Sequence, residues 1–71
     1  MPKYSMVLTW SEEDQAYIVS VPELPGCMAD GKTPELAVKE AETVIQMWIE
    51  CAIADGDPIP EPRLFKAEAT V

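Results

Sequence analysis

The feature that most constrains the fold is a single helix-length stretch with strong stop signals at both ends. Thr33-Pro34 opens it: a threonine oxygen can accept from free amides of the first turn, and proline at the first helical position gives up a donor that would have had no partner. Glu35 suits the positive end of the helix dipole. The stretch ends near Ala54, at Asp55-Gly56 with Pro58 beyond. At 3.6 residues per turn, Ala37, Ala41, Val44, Ile45, Trp48 and Ala52 share one side, extended by Val38 and Ile49 into an apolar arc of roughly 160°. Lys39, Glu42, Thr43, Gln46 and Glu50 form the wet side. Leu36 and Met47 lie apart from the stripe, separated from it by Glu40 and Cys51, as an apolar patch on the flank.

Upstream of Thr33 only short strands fit. Tyr4 to Trp10 alternates, with Tyr4, Met6, Leu8 and Trp10 on one face and Ser5, Val7 and Thr9 on the other. Ser11 to Gln15 is polar and suits a hairpin loop. Ala16 to Val21 supplies a second strand with Tyr17, Val19 and Val21 on one side. Pro22 ends that strand, Pro25-Gly26 is a turn pair, and Cys27 to Ala29 can form a third strand before Asp30-Gly31. After the helix, Asp57-Pro58-Ile59-Pro60-Glu61-Pro62 is an extended, polyproline-like spacer. Arg63 to Val71 has the length of one more strand, with Phe65, Ala67, Ala69 and Val71 on one face. The expectation is an α+β fold, β-β-β-α-β: a small antiparallel sheet with one helix packed on one face.

Within 71 residues there is room for one small domain, 1–71, and one so short buries only about 60–65% of its unfolded surface. Shared burial between subunits is the expected remedy. One helix covers one sheet face, so Val7 and Ile18, on the other, are candidates for a homodimer interface, together with Leu36 and Met47.

Function classes narrow next. Thirteen acidic and five basic side chains give a net charge of −8, the wrong sign for direct binding to nucleic-acid phosphates. The same charge suits a basic protein partner, or simply keeps a small protein soluble. There is no histidine, so the usual neutral-pH base and the commonest metal ligand are absent. Cys27 and Cys51 are too few and too far apart for a zinc site and read as small buried apolar residues. No secretory signal and no membrane span is legible, so a cytoplasmic, cofactor-free protein is expected.

Glu12-Glu13-Asp14 is the only dense carboxylate cluster. It reads first as a solvated turn, second as a partner contact, and last as a Mg²⁺ site, since metal-dependent hydrolysis needs acids presented from several elements around a cleft. Glu23 and Leu24, between two prolines, and Trp10, beside the acidic loop, are further contact candidates, although the backbone role of Pro22, Pro25 and Gly26 explains that loop structurally. Trp48, on the helix stripe, reads as core.

The ordered set Val21-Pro22-Glu23-Leu24-Pro25-Gly26-Cys27, Gly31-Lys32-Thr33-Pro34-Glu35, Trp48 and Ile59-Pro60-Glu61-Pro62 resembles HicB-family antitoxins through nearly the whole chain. The resemblance implies a partial ribonuclease-H-like fold that binds and blocks a small basic RNA-cleaving toxin, HicA. Family members usually add a C-terminal DNA-binding module; the sequence stops at Val71, and operator binding is not expected of it. The alternative is an orphan: a self-associating module of the same kind with no toxin partner.

Overall fold

The computed structural model describes residues 3–64. Three strands, β1 (Val7–Ser11), β2 (Ala16–Ser20) and β3 (Met28–Gly31), precede one helix, α1 (Pro34–Asp55). The strands form one antiparallel sheet in the order β1-β2-β3, and α1 packs on one face of it, giving the expected α+β fold. Of the fourth strand expected in Arg63 to Val71, everything from Phe65 on lies outside the described residues; Arg63 and Leu64 have no regular structure.

The helix ends form as their chemistry dictates. Thr33 is extended, and its hydroxyl accepts from the Leu36 amide at 3.2 Å. At the other end Gly56 is left-handed; its amide donates to the Ile53 carbonyl at 3.1 Å and the Asp57 amide to the Ala52 carbonyl at 2.9 Å. That double closure is a Schellman motif, which satisfies carbonyls the helix would otherwise leave open.

Between β2 and β3 the chain makes two successive turns. The Leu24 amide donates to Val21 O at 3.1 Å, the Cys27 amide to Leu24 O at 3.0 Å, and the Val21 amide to Cys27 O at 3.0 Å. Pro25 and Gly26, with Gly26 at φ 75°, are the central pair of the second turn, as a type II turn requires. The excursion points Leu24 inward, where it has no accessible surface.

Two adjoining clusters make the core. Val19 packs with Ala37 and Ala41, flanked by Met6, Tyr17 and Ala29. Val21, Leu24, Cys27 and Ile45 form the second, flanked by Tyr4, Met6, Val44, Trp48 and Ile49. The small helix residues Ala37 and Ala41 let the helix approach the sheet closely, and Gly31 completes the approach. Trp48 sits at the rim of the core and donates its indole N–H to the Pro25 carbonyl at 3.0 Å.

Three expectations need correction. The first strand begins at Val7 rather than Tyr4, because the Ser5 amide is taken by the Glu23 carboxylate and not by a ladder. Leu8 is on the helix side of the sheet, opposite the buried Val19, yet 40% exposed. The two-residue link Lys32-Thr33 sets the helix down beside β3, so it covers β3 and β2 and stops short of β1. Cys27 is buried as expected, but Cys51 is exposed on the helix, and both are free thiols.

Candidate partner-binding surface

The β1–β2 hairpin carries the most distinctive surface. Its loop bends through Gln15, the one non-glycine residue at positive φ (51°) among those described. The loop ties itself with its own side chains. Ser11 Oγ donates to Asp14 Oδ2 at 3.0 Å and accepts from the Asp14 amide at 3.2 Å, while Gln15 Nε2 donates to the Glu12 carbonyl at 2.7 Å. Lys32 Nζ reaches the Gln15 carbonyl at 3.4 Å, linking the loop to the end of β3.

Trp10 stands at the foot of this loop, 43% exposed. Its ring meets Tyr17, across the β1–β2 ladder, edge to face at 5.0 Å between centroids. Its indole N–H donates to Glu12 Oε2 at 2.8 Å. Leu8 continues the strip along β1. Thus Leu8 and Trp10 form an apolar strip along β1, the part of the sheet that the helix leaves open, backed by the half-buried Tyr17 and with Glu12, Glu13 and Asp14 at its end. Sequence reasoning grouped Trp10 with the three acids. Leu8 was missed, because alternation assigned it to the helix contact. Tyr17, assigned there too, does pack against the Val19–Ala37–Ala41 cluster and meets Trp10 with its remaining surface.

The remaining candidates separate. Leu24 is fully buried and Glu23 is 9% exposed, so neither side chain is placed to touch a docking partner; the two turns fold the tip inward. Val7 and Ile18 lie on the face away from the helix, joined there by Met28, which pairs with Ser20 and is 57% exposed. Leu36 and Met47 are exposed on the helix flank about 16 Å apart, too far to form one patch by themselves. Among the described residues no group of three or more Cys, Asp or Glu side chains is arranged to hold a metal ion, and no helix is long and apolar enough to cross a membrane.

Glu23 does something the sequence did not suggest. Its carboxylate accepts from the Ser5 amide at 3.1 and 3.2 Å, from Ser5 Oγ at 2.8 Å and from the Arg63 amide at 2.9 Å. Burial by itself pushes this carboxyl up. Hydrogen bonds from the Arg63 amide, the Ser5 hydroxyl and amide, and its own amide outweigh that and hold it at about 2. Burial alone acts on Cys27 and pushes its thiol up, which keeps it a neutral core residue.

A pH dependence follows for Glu23. Its folded value lies below the ordinary 4.5, so its contribution to stability is complete above about pH 4.5 and fades as pH falls toward 2. Thermal melting of the wild type and Glu23→Gln should show a gap at pH 7 that narrows steadily on acidification below pH 4.5. A gap independent of pH would mean that the charge on Glu23 is not what stabilises.

Residues 4–70 match the family described as HicB-like antitoxin of bacterial toxin–antitoxin systems. A UPF0150 protein of Thermoplasma acidophilum is 38% identical over 58 residues, covering 82% of this chain and 83% of that protein. Another, of Synechocystis, is 36% identical over 59 residues, covering 83% of this chain and 75% of that protein. An uncharacterized 14.9 kDa protein of Haemophilus phage HP1 is 35% identical over 48 residues, which are 68% of this chain but 36% of the phage protein. A match that runs through the hairpin, the double turn, the capped helix and the proline-rich segment places this chain in the HicB-like antitoxin family of bacterial toxin–antitoxin systems.

Proposed function

We propose that this antitoxin neutralises a small, basic, RNA-cleaving toxin of the HicA kind, and that it does so through the β1–β2 hairpin. The observation that carries the reading is the juxtaposition on one hairpin of two uncovered side chains, Leu8 and Trp10, the latter braced by the half-buried Tyr17, with the carboxylates of Glu12, Glu13 and Asp14. Each part has a separate physical role. The carboxylates, on a chain of net charge −8, steer a basic partner into encounter and meet the cations it uses to hold RNA phosphates. The aromatic pair supplies a rigid anchor whose burial lengthens the life of the complex. Blocking an RNA-binding surface needs no chemistry from the antitoxin, only occupancy.

The test is a titration of this protein against a purified small basic toxin of the HicA kind, with RNA cleavage as the readout. Suppression should be complete near a fixed molar ratio. Trp10→Ala should weaken the complex by a factor of ten or more, chiefly through faster dissociation, as loss of about 1.5–3 kcal/mol at an aromatic anchor implies. Replacing Glu12, Glu13 and Asp14 by their amides should slow association and flatten its salt dependence. Undiminished cleavage and no complex, with the protein folded, would overturn the reading.

A second reading, self-association without a toxin, is favoured by the bare sheet face. Val7 and Met28 are half exposed there beside Ile18, and Asp30 is its only charged side chain among the strand residues. Two copies of a strongly acidic chain can meet only where carboxylates are sparse. Light scattering on the same preparation decides: a monomer at high micromolar concentration removes this reading.

A further inference from the structure

After the helix, the chain from Asp57 to Leu64 runs back over the molecule as a strap. Pro58, Pro60 and Pro62 remove three of its amide donors, so it cannot be stitched down by a continuous ladder. Beyond the helix cap at Asp57, its hydrogen bonds among the described residues are made to two side chains. The Tyr4 hydroxyl donates to the Pro60 carbonyl, and the Arg63 amide donates to Glu23 Oε2 at 2.9 Å. Most strap residues are exposed, although Pro60 and Pro62 are half-buried. The prolines preorganise the strap, which lowers the entropy lost on docking and lets two contacts suffice.

The same Oε2 atom also accepts from Ser5 Oγ at 2.8 Å and the Ser5 amide at 3.1 Å. One carboxylate oxygen therefore holds the segment before β1 and the segment after α1, which are 18 and 40 positions away from it in the chain. Tyr4, one residue before Ser5, makes the second strap contact. Taking this carboxylate out of water is costly, and that cost is met jointly by donors from both segments. When one donor leaves, water enters and the remaining bonds weaken.

We propose that Glu23 is a latch coupling the two flanking segments, 3–6 and 57–64, so that they open together from a core that stays folded. The opening is local: Tyr4 and Met6 line the Val21–Leu24–Cys27–Ile45 cluster from outside, and their departure uncovers it without breaking β1–β2–β3 or α1. It also links what happens at the proline strap to the residues that lead into β1, the strand that carries the Trp10 strip.

Amide hydrogen exchange on the full chain tests this. Arg63→Pro removes one donor and leaves Glu23 and Ser5 untouched. The latch predicts that the Ser5 amide then exchanges about tenfold faster, while the amides of Val19 and Ile45 stay far better protected than it. Glu23→Gln should release the Ser5 and Arg63 amides together, and Tyr4→Phe should loosen the same pair more weakly. An unchanged Ser5 amide in Arg63→Pro would overturn the coupling. Equal protection of the Ser5, Val19 and Ile45 amides in the wild type would overturn it too, since Ser5 would then exchange only when the whole fold unfolds. Should Glu23→Gln fail to fold, Arg63→Pro and Tyr4→Phe still decide between these outcomes.

Discussion

Replacing Leu24 with alanine is expected to cost about 3–4 kcal/mol, the largest loss from any single side chain here. The residue has no accessible surface and sits where the double turn meets Val21, Cys27 and Ile45. Truncation removes three carbons of buried apolar volume and leaves a cavity, for which Leu→Ala replacements cost about 2–5 kcal/mol. The lower end of that range does not apply because the walls cannot collapse inward. Pro22 and Pro25 stiffen the loop and three backbone hydrogen bonds close it, so its tip has no slack to follow the missing side chain. A chain of 71 residues has little stability to spare, so urea unfolding at 25 °C should show a largely unfolded population or a sharply lowered midpoint. Leu24→Met, which nearly conserves volume, should cost under about 1.5 kcal/mol. A Leu24→Ala protein within 1 kcal/mol of wild type would mean that the loop is not part of the core.

Gly31→Ala is expected to cost about 3 kcal/mol by a different route. A Cβ at this position would lie 2.4 Å from the Ala37 nitrogen, 2.7 Å from the Leu36 carbonyl carbon and 2.8 Å from the Ala37 Cα. All three are helix backbone, so no side chain can rotate away and strand and helix must part. Gly26 is the control. Its φ of 75° strains any L residue, yet a Cβ there would meet nothing within 4 Å. Gly26→Ala should therefore cost only about 1–2 kcal/mol, the price of a left-handed residue. If thermal melting ranks Gly26→Ala as the more damaging, the close approach of β3 to α1 is not the limiting contact.

These two sites differ in how much of their role could be read beforehand. The Pro25-Gly26 turn was legible because a type II turn asks for those residues in that order, whatever surrounds them. The helix was legible from Thr33 to Gly56 for the same reason: cap, dipole and period act over one or two turns of chain. Gly31, by contrast, reads as an ordinary turn glycine until the helix is placed upon it. Leu24 reads as an exposed tip residue between prolines until the two turns are seen to fold it inward. The hairpin site was half legible. Trp10 and the acids adjoin in sequence, whereas Leu8 joins them only because the helix stops short of β1.

Sequence by itself thus determined the three strands and the helix, their order, the sheet's antiparallel pairing and the family, since each rests on residues close in the chain or on their ordered spacing. Tertiary structure alone decided how far across the sheet the helix reaches, and therefore that Leu8 stays open, and it decided that Cys51 faces solvent. It also decided that Glu23 joins Ser5 to Arg63. The physical reason is common to all three. Burial and hydrogen bonding between distant segments depend on where one rigid element lands on another, and here a two-residue link between β3 and α1 sets that landing.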